Sequence, residues 1–209
     1  MEFAALDEYL RLRHTRWRRT HDDTVAWVGP ENIQTHDGRI LPAPRRQSTL
    51  PPDARLFHAG DILLSRASAA FLGGACGIVD LQAQLALAGS ASLPAIGACS
   101  PQILVLQGQS EQDLTYFCHW LRWRGRLALA QLIREHGARP RVPRSALAHC
   151  WLALPGPGLR QIFASYLTLQ SARICLPLHG AAARSLAAQA FCAQAWERWE
   201  QDLLALARP

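Results

Sequence analysis

The segment LFHAGDILLSR, residues 56–66, carries the most information about how this chain folds. Gly60 and Asp61 favour a turn, and the apolar run Ile62–Leu64 directly after them has the length and composition of a buried strand. A strand at this position delivers small polar side chains and an arginine into the loop that follows. Side chains of these types contact phosphates and base edges in nucleic-acid complexes. The candidate contact residues in this loop are Ser65, Arg66 and Ser68.

Similar short apolar runs lie on both sides of this strand, from about residue 24 to residue 108. They are separated by Gly, Pro, Asn and Asp, and in chain order they are VAWV, RIL, DILLS, GIVD, LALAG and QILVLQ. This spacing predicts several short strands joined by turns. The glycine-rich stretch FLGGACG, residues 71–77, is the nearest approach to a nucleotide-binding loop, but the strand-like GIVD after it favours a hairpin turn.

Helical periodicity or proline-rich composition marks the remaining segments. The predicted elements are a short helix over residues 1–20, a helix over 111–136 ended by Gly137, a basic loop over 138–158 that contains a short helix at Ser145–His149 and a strand at Trp151–Leu154, a helix from Leu159 to Cys175, and a final helix over 181–207. The chain is therefore expected to form an α/β (α+β) fold. Its compact, β-rich domain covers residues 1–158, and C-terminal helices cover residues 159–209.

Within the last helix, tryptophan and leucine recur at spacings of 3, 4 and 3 residues, which is the spacing of a coiled coil. These residues are Trp196, Trp199, Leu203 and Leu206. The pattern predicts a surface for assembly with another helix. Packing of the two tryptophans on the chain's own core fits the same spacing, so both interpretations stay open at this point.

The basic charge of the chain comes entirely from arginine. The 209 residues carry 22 basic side chains, none of them lysine, against 16 acidic ones, which gives a net charge of +6. A GC-rich genome explains an arginine bias without any function, yet guanidinium groups also suit phosphate and guanine contacts. The lack of lysine excludes Ser–Lys dyads, Schiff-base catalysis and P-loop phosphate binding.

The sequence predicts neither a membrane span nor a resident metal or cofactor. Because no stretch reaches 18 apolar residues and the first residues lack the apolar core of a signal peptide, we expect a soluble, cytoplasmic protein. Cys-x-x-Cys, His-Glu-x-x-His and Gly-x-Gly-x-x-Gly motifs are absent from the sequence. The pairs Cys118-His119 and His149-Cys150 would have to converge to bind zinc. Adjacent residues of a helix point about 100° apart, which favours buried thiols instead.

Four segments, taken in order, resemble the target recognition domain of type I restriction-modification specificity subunits. They are VAWVGPENI with DGRI at residues 25–33 and 37–40, GDILLSR with GGACGIVD within residues 56–79, the Leu- and aromatic-rich stretch 112–131, and residues 137–155 running into RQIFA at 160–164. Together they cover about residues 20–175. Two features differ from the family pattern. Arg160 replaces the glutamate of the Pro-Pro-x-x-Glu-Gln motif, and this chain has one recognition domain where full-length members have two.

The resemblance implies recognition of double-stranded DNA without catalysis. A methyltransferase (modification) subunit, together with a restriction subunit where one is present, would carry out the chemistry. The half-length chain would assemble as a homodimer or heteromer through its C-terminal helices, and a twofold dimer would read an inverted-repeat target. The implied DNA contacts are Ser65, Arg66 and Ser68 after the central strand and Gly137, Arg139, Arg141 and Arg144 in the glycine-led loop, with Asn32, Arg45 and Arg46 as further candidates in the first loop region.

An alternative from a different class is a non-catalytic adaptor for protein interactions. The same fold, without DNA reading, would then be held in a complex through Trp196, Trp199 and the leucines of the last helix. An enzyme is the least supported interpretation because no catalytic set of residues emerges. Binding to duplex DNA across a salt series separates the first two functions, since a DNA reader releases counterions as it binds.

Overall fold

Two four-stranded sheets form the centre of the molecule. The computed structural model describes residues 2–18, 24–35, 37–80, 96–132, 134–136, 139–175, 190–191, 194–199 and 201–202. In the first sheet, the strands Leu10–Leu12 (β2), Ile103–Gly108 (β9), Ile62–Ser65 (β6) and Cys76–Ile78 (β7) lie side by side in that order, all antiparallel. In the second sheet, the order is Ala43–Arg46 (β4), Thr24–Val28 (β3), Ile96–Cys99 (β8) and Arg55–His58 (β5). There β3 and β8 are parallel, and the other neighbours are antiparallel.

The segment 56–66 links the two sheets, because β5 belongs to the second sheet and β6 to the first. Gly60 makes the turn between them with a φ of +83°, a conformation that favours glycine. The buried Asp61 carboxylate accepts a hydrogen bond from the backbone N–H of His58 at 2.8 Å. It also accepts two from the guanidinium of Arg13, each at 3.1 Å. The predicted turn and strand are confirmed, and this carboxylate holds the turn in place.

Two smaller sheets have two strands each. Glu2–Ala5 (β1) pairs with Trp151–Leu154 (β12), and Arg134–His136 (β10) pairs with Arg139–Arg141 (β11), both antiparallel. The pairing of β1 with β12 joins the first residues of the chain to the segment that directly precedes the long C-terminal helix.

The helices lie between and after these strands. They are Ser68–Leu72 (α1), Glu111–Trp120 (α2), Arg126–Ala130 (α3) and Pro157–Cys175 (α4), with short 3₁₀ helices at Leu6–Glu8, Pro30–Asn32, Gln47–Thr49 and Arg144–His149. A π-helical turn at Leu121–Gly125 connects α2 to α3. A Cβ atom at Gly125 would lie only 2.3 Å from the Trp120 ring, so this turn requires glycine.

The largest hydrophobic cluster contains one face of β6 together with α2 and α4. Strand β6 contributes Ile62 and Leu64, α2 contributes Phe117, and α4 contributes Phe163. The intervening Leu63 points to the opposite face and packs in a second cluster. Because β6 is buried on both faces, its sequence is a continuous apolar run rather than an alternating one.

The helix predicted over residues 1–20 is wrong. Residues 2–5 and 10–12 form β1 and β2 instead, joined by a single 3₁₀ turn. Leu6 and Leu10 are buried at helical spacing, but Phe3 is 65% exposed. The backbone of this segment is hydrogen-bonded to β9 and β12, so pairing with distant strands overrides the local periodicity.

Most of the other predicted elements agree with the structure, but RIL, residues 39–41, does not form a strand: within it only Ile40 makes an isolated bridge, to Ile33. The strands in VAWV, DILLS, GIVD and QILVLQ, the strand Trp151–Leu154 and the helix that ends at Cys175 are confirmed. The long helix predicted over 111–136 is wrong at its end, since it stops at Ala130 and residues 134–136 form β10. In FLGGACG, a turn does form at Gly73 and Gly74, but the first two residues of this stretch, Phe71 and Leu72, belong to α1. The run LALAG and Gly137 lie outside the described residues.

Of the two interpretations left open for Trp196, the structure shows packing on the chain's own core. Trp196 is 2% exposed and its ring packs edge-on against Tyr116 and Phe163, with centroids 5.4 and 4.7 Å away. Trp199 is partly buried and stacks on Phe163 at 4.4 Å. These tryptophans attach residues 194–199, which are helical, to the chain's own core. Leu203 and Leu206 lie outside the described residues.

Candidate nucleic-acid interface

The loop after β6 and the segment after β11 meet, although they are distant in sequence. The backbone N–H of Arg66 donates to the carbonyl of Gln102 at 2.7 Å, and the N–H of Val142 donates to the carbonyl of Arg66 at 3.2 Å. The Arg66 side chain adds a third hydrogen bond, from its Nε to the Val142 carbonyl at 2.8 Å. Ala67 and Arg141 form an isolated antiparallel bridge next to these contacts. The structure therefore joins two of the segments in which DNA contacts are predicted.

Four arginines, which we call the arginine cluster, lie close enough at this junction to affect one another. They are Arg55, Arg66, Arg141 and Arg144. Burial, together with the positive charges of Arg144, Arg141 and Arg55, lowers the pKa of Arg66 to about 10. Within the described part of the chain, none of the four forms an ion pair with a carboxylate. The only acidic side chain that affects Arg55 is Asp53, and it forms no ion pair in the described structure, so the group carries an excess of positive charge that attracts an anion.

Arg55 belongs to this cluster, yet the sequence analysis did not identify it. It begins β5, is only 6% exposed, and forms an isolated bridge with Arg16. Its Nε and Nη1 atoms are buried and make no hydrogen bond in the described structure. One sequence signal was available. In RLFH, Arg55 and the buried Phe57 share one face of the strand, so a charge stands where the alternation places a core residue.

The other residues predicted after β6 and in the glycine-led loop have different positions. Arg141 is half-buried, and Arg144 is exposed at the start of the 3₁₀ helix Arg144–His149. Ser65 is fully buried in β6, so it lies outside the exposed part of the cluster. Ser68 begins α1 and Arg139 begins β11.

The three candidates in the first loop region have local contacts of their own. The Asn32 side-chain oxygen accepts a hydrogen bond from the N–H of Gly29 at 2.8 Å, so it stabilises the turn there. The guanidinium of Arg45 stacks over the Trp27 ring at 4.9 Å. Arg46 is exposed on β4, the edge strand of the second sheet. None of these contacts connects the three residues to the arginine cluster.

The cysteines and histidines weighed as zinc ligands face other groups. Cys118 Sγ lies 3.9 Å from Cys76 Sγ inside the core, while His149 is exposed. Burial, together with the charge of Arg122, lowers the pKa of His119 to about 3. Among the described residues, no three His, Cys, Asp or Glu side chains converge as metal ligands would. None of the described helices combines the length and apolar character needed to cross a bilayer.

Comparison with solved structures identifies the fold. The HsdS subunit from Thermoanaerobacter tengcongensis superposes with a TM-score of 0.57 over 83% of this chain, at 13% sequence identity. This chain has an HsdS-like fold. A second solved chain, from work on complex assembly and conformational transition of the type I R-M system, gives a TM-score of 0.52 over 98% of this chain, at 14% identity. The resemblance inferred from the four sequence segments is thus confirmed at the level of the fold.

The HsdS-like fold of this chain corresponds to less than half of each solved chain. The match covers 42% of the first and 44% of the second, which agrees with the prediction of a half-length form. No family model matches the sequence, and no curated protein matches it either.

Proposed function

We propose that this protein is a specificity module that recognises a short DNA sequence for a type I restriction-modification system or a related defence complex. It would read DNA without catalysing a reaction, while a methyltransferase subunit and, where present, a restriction subunit act on the DNA. The HsdS-like fold supports this proposal, since the sequence resemblance to specificity subunits and the structural likeness agree. A cytoplasmic location follows from the same proposal.

The arginine cluster is the observation that carries the proposal. Arg66 and Arg141 come from segments that the backbone hydrogen bonds hold together, and Arg144 adds an exposed guanidinium beside them. Arginine is the side chain that most often recognises guanine in the major groove, and its planar donors also bind phosphate in two-point contacts. We assign Arg141 and Arg144 as DNA contacts and Arg66 as the residue that joins their segment to β6.

For assembly, we propose that the outer face of α4 pairs with a second copy of this chain. The exposed side chains on this helix recur at spacings of 3, 4 and 3 residues, the pattern of a coiled-coil seam. They are Leu159, Ile162, Tyr166 and Leu169, which are 44%, 67%, 45% and 66% exposed. A second copy would supply the length by which the solved chains exceed this one. This face takes the role that the sequence analysis gave to Trp196 and Trp199.

The same exposed face favours the adaptor as a second candidate function, because an adaptor also needs an apolar surface for a partner. The two functions differ in what they predict for DNA. A specificity module binds duplex DNA with an affinity that falls steeply as salt rises, whereas an adaptor shows no such binding.

Selection from a random-sequence duplex pool, repeated over a salt series, tests the proposed function. We expect one enriched motif and an affinity that decreases strongly between low and moderate salt. Failure to retain any duplex at low salt would rule out the specificity module and leave the adaptor. The wild-type chain should be compared with Arg198→Gln, which removes one exposed positive charge from the helical residues 194–199 and should enrich the same motif.

A further inference from the structure

Arg55 is the least expected charge in the molecule. Its side chain is buried among elements of the second sheet, and two of its three guanidinium nitrogens are buried without a hydrogen-bond partner in the described structure. A buried polar group without a partner costs free energy, and an unpaired buried charge costs more. Such a group therefore calls for a partner beyond the described protein atoms, either water or a ligand.

The positive charges around Arg55 indicate that such a ligand is an anion. Arg16 is its antiparallel bridge partner, so the two side chains leave the same face of the backbone. Burial lowers the pKa of Arg55, and repulsion from Arg144 and Arg16 acts in the same direction, against the opposing effects of Cys99 and Asp53. Arg55 in turn lowers the pKa of Arg66. Arg16, Arg66 and Arg144 thus lie near Arg55, and no described carboxylate, Asp53 included, forms an ion pair with any of the four.

Exposure decreases from the surface inward across this group. Arg144 and Arg16 are exposed, Arg66 is half-buried, and Arg55 is buried. An anion entering from solvent would meet the outer guanidinium groups first and the unpaired nitrogens of Arg55 last. A phosphoryl oxygen projects from its neighbours and suits the planar donors of arginine.

We propose that Arg55, with Arg16, Arg66 and Arg144 around it, binds a single phosphoryl group. This proposal deepens the proposed function, since the phosphoryl group would be one backbone phosphate of the DNA. The same chemistry would also accept a free phosphate. Arg55 then contributes affinity and fixes the position of the DNA, while sequence is read by other residues.

Inorganic phosphate is the first probe, with sodium chloride of matched ionic strength as its control. We expect phosphate to raise the melting temperature of the wild-type chain, because a ligand that binds only the folded state stabilises it. Arg55→Met keeps the volume of the side chain but removes the charge, so the increase should disappear. Without phosphate, Arg55→Met should melt above the wild type, because it removes an unpaired buried charge. Arg198→Gln should respond to phosphate as the wild type does.

Duplex DNA is the second probe and separates the two sources of the phosphoryl group. If Arg55 binds a backbone phosphate, Arg55→Met should weaken binding to all sequences alike and lower the slope of log affinity against log salt by about one. The enriched motif should stay the same. If the phosphate response depends on Arg55 but the slope does not change, the site takes free phosphate instead.

Two results would overturn the proposal. The first is a phosphate response that Arg55→Met leaves intact. The second is a wild-type chain whose melting temperature does not respond to phosphate, together with an Arg55→Met variant whose melting temperature is lower than that of the wild type. Arg144→Gln serves as a second variant, since this exposed residue can change without disturbing the fold, and it should weaken the phosphate response. Failure of the proposed function gives a different result: no motif is enriched, although the Arg55-dependent phosphate response remains.

Discussion

Arg160 departs from the Pro-Pro-x-x-Glu-Gln pattern, and the structure gives this arginine a specific partner. Its Nε and Nη2 atoms donate to the two carboxylate oxygens of Asp113 at 2.9 and 2.7 Å, and Nη1 donates to the carbonyl of Pro155 at 2.7 Å. The hydrogen bonds to Asp113 raise the pKa of Arg160. Both residues are buried, so this two-point pair fixes the start of α4 against α2.

Removing one member of this pair should be strongly destabilising. Arg160→Met leaves the Asp113 carboxylate buried without its donors, and we expect a loss of about 3–5 kcal/mol in the free energy of unfolding. Urea denaturation measures this loss, with Arg198→Met as the exposed control. In a double-mutant cycle, Asp113→Asn should add much less once Arg160 has been replaced. Strictly additive losses would show that the two residues do not act as a pair.

His119 makes the stability of the fold depend on pH. Its pKa in the folded protein is about 3, below the ordinary 6.5, mainly because it is buried. Between these two values the unfolded chain binds a proton that the folded chain does not, so stability decreases as pH falls below 6.5.

The contribution of His119 to this loss is measurable. Between pH 7 and pH 5 it should lower the free energy of unfolding by about 2 kcal/mol, and His119→Gln should remove that part of the decrease. Urea denaturation of both proteins at the two pH values checks this. The exposed His149→Gln is the control and should keep the wild-type pH dependence. Identical pH dependence in His119→Gln and the wild type would contradict the burial of a neutral imidazole.

Helix α4 has one buried face and one exposed face. Phe163 and Leu167 are buried and hold the helix on the domain, while Ile162 and Leu169 are about two-thirds exposed. Exposed apolar side chains at coiled-coil spacing contribute little to the fold of one chain but much to the pairing of two.

Charges placed on the exposed face should therefore separate assembly from folding. We expect Ile162→Glu with Leu169→Glu to abolish the proposed dimer, as measured by sedimentation, while the melting temperature at high dilution stays within a few degrees of the wild type. Trp196→Ala should have the opposite effect, lowering the stability of the fold while leaving the oligomeric mass unchanged. It removes a buried ring and should cost about 3–5 kcal/mol of stability. A wild-type chain that sediments as a monomer would refute pairing through this face.

The strand that is buried on both faces was the most predictable from sequence. The run Ile62–Leu64 has no polar interruption because both of its faces are buried, and its turn residues stand directly before it. Residues 1–20 were mispredicted because β1 and β2 take their hydrogen bonds from β12 and β9, which no local pattern reveals. The arginine cluster was predictable only in part. The sequence placed three of its members, Arg66, Arg141 and Arg144, in predicted loops, where DNA contacts are expected. Arg55 instead lies in a strand, and only the tertiary fold brings that strand next to the loops.

At the scale of the whole molecule, the proposed dimer and the DNA target are linked. Two copies related by a twofold axis present two identical arginine clusters, so the sequence they select should contain two inverted half-sites. The distance between half-sites would be set by α4, because this helix separates the paired surface from the domain.

This link gives a test that joins both proposals. With the Ile162→Glu, Leu169→Glu variant, selection should enrich a single half-site, bound with weaker affinity. The Arg141→Gln, Arg144→Gln variant should instead bind DNA at least tenfold more weakly while its oligomeric mass stays the same. Sequencing the retained duplexes and measuring their affinities distinguishes the two outcomes. A single, asymmetric motif from the wild-type chain would argue against a twofold dimer on DNA.

The pairing of β1 with β12 also determines the order of events during synthesis. The ribosome makes residues 2–5 well before their partner strand, which leaves it only after Leu154 has been added. Until then β1 has an unpaired backbone edge, and contacts this distant in sequence form slowly because a long loop must close first. Because Leu152 and Leu154 of β12 belong to the same hydrophobic cluster as Phe163 and Leu167 of α4, the domain closes only once α4 can pack on it. The surface proposed for pairing is therefore formed in the same step that completes the domain.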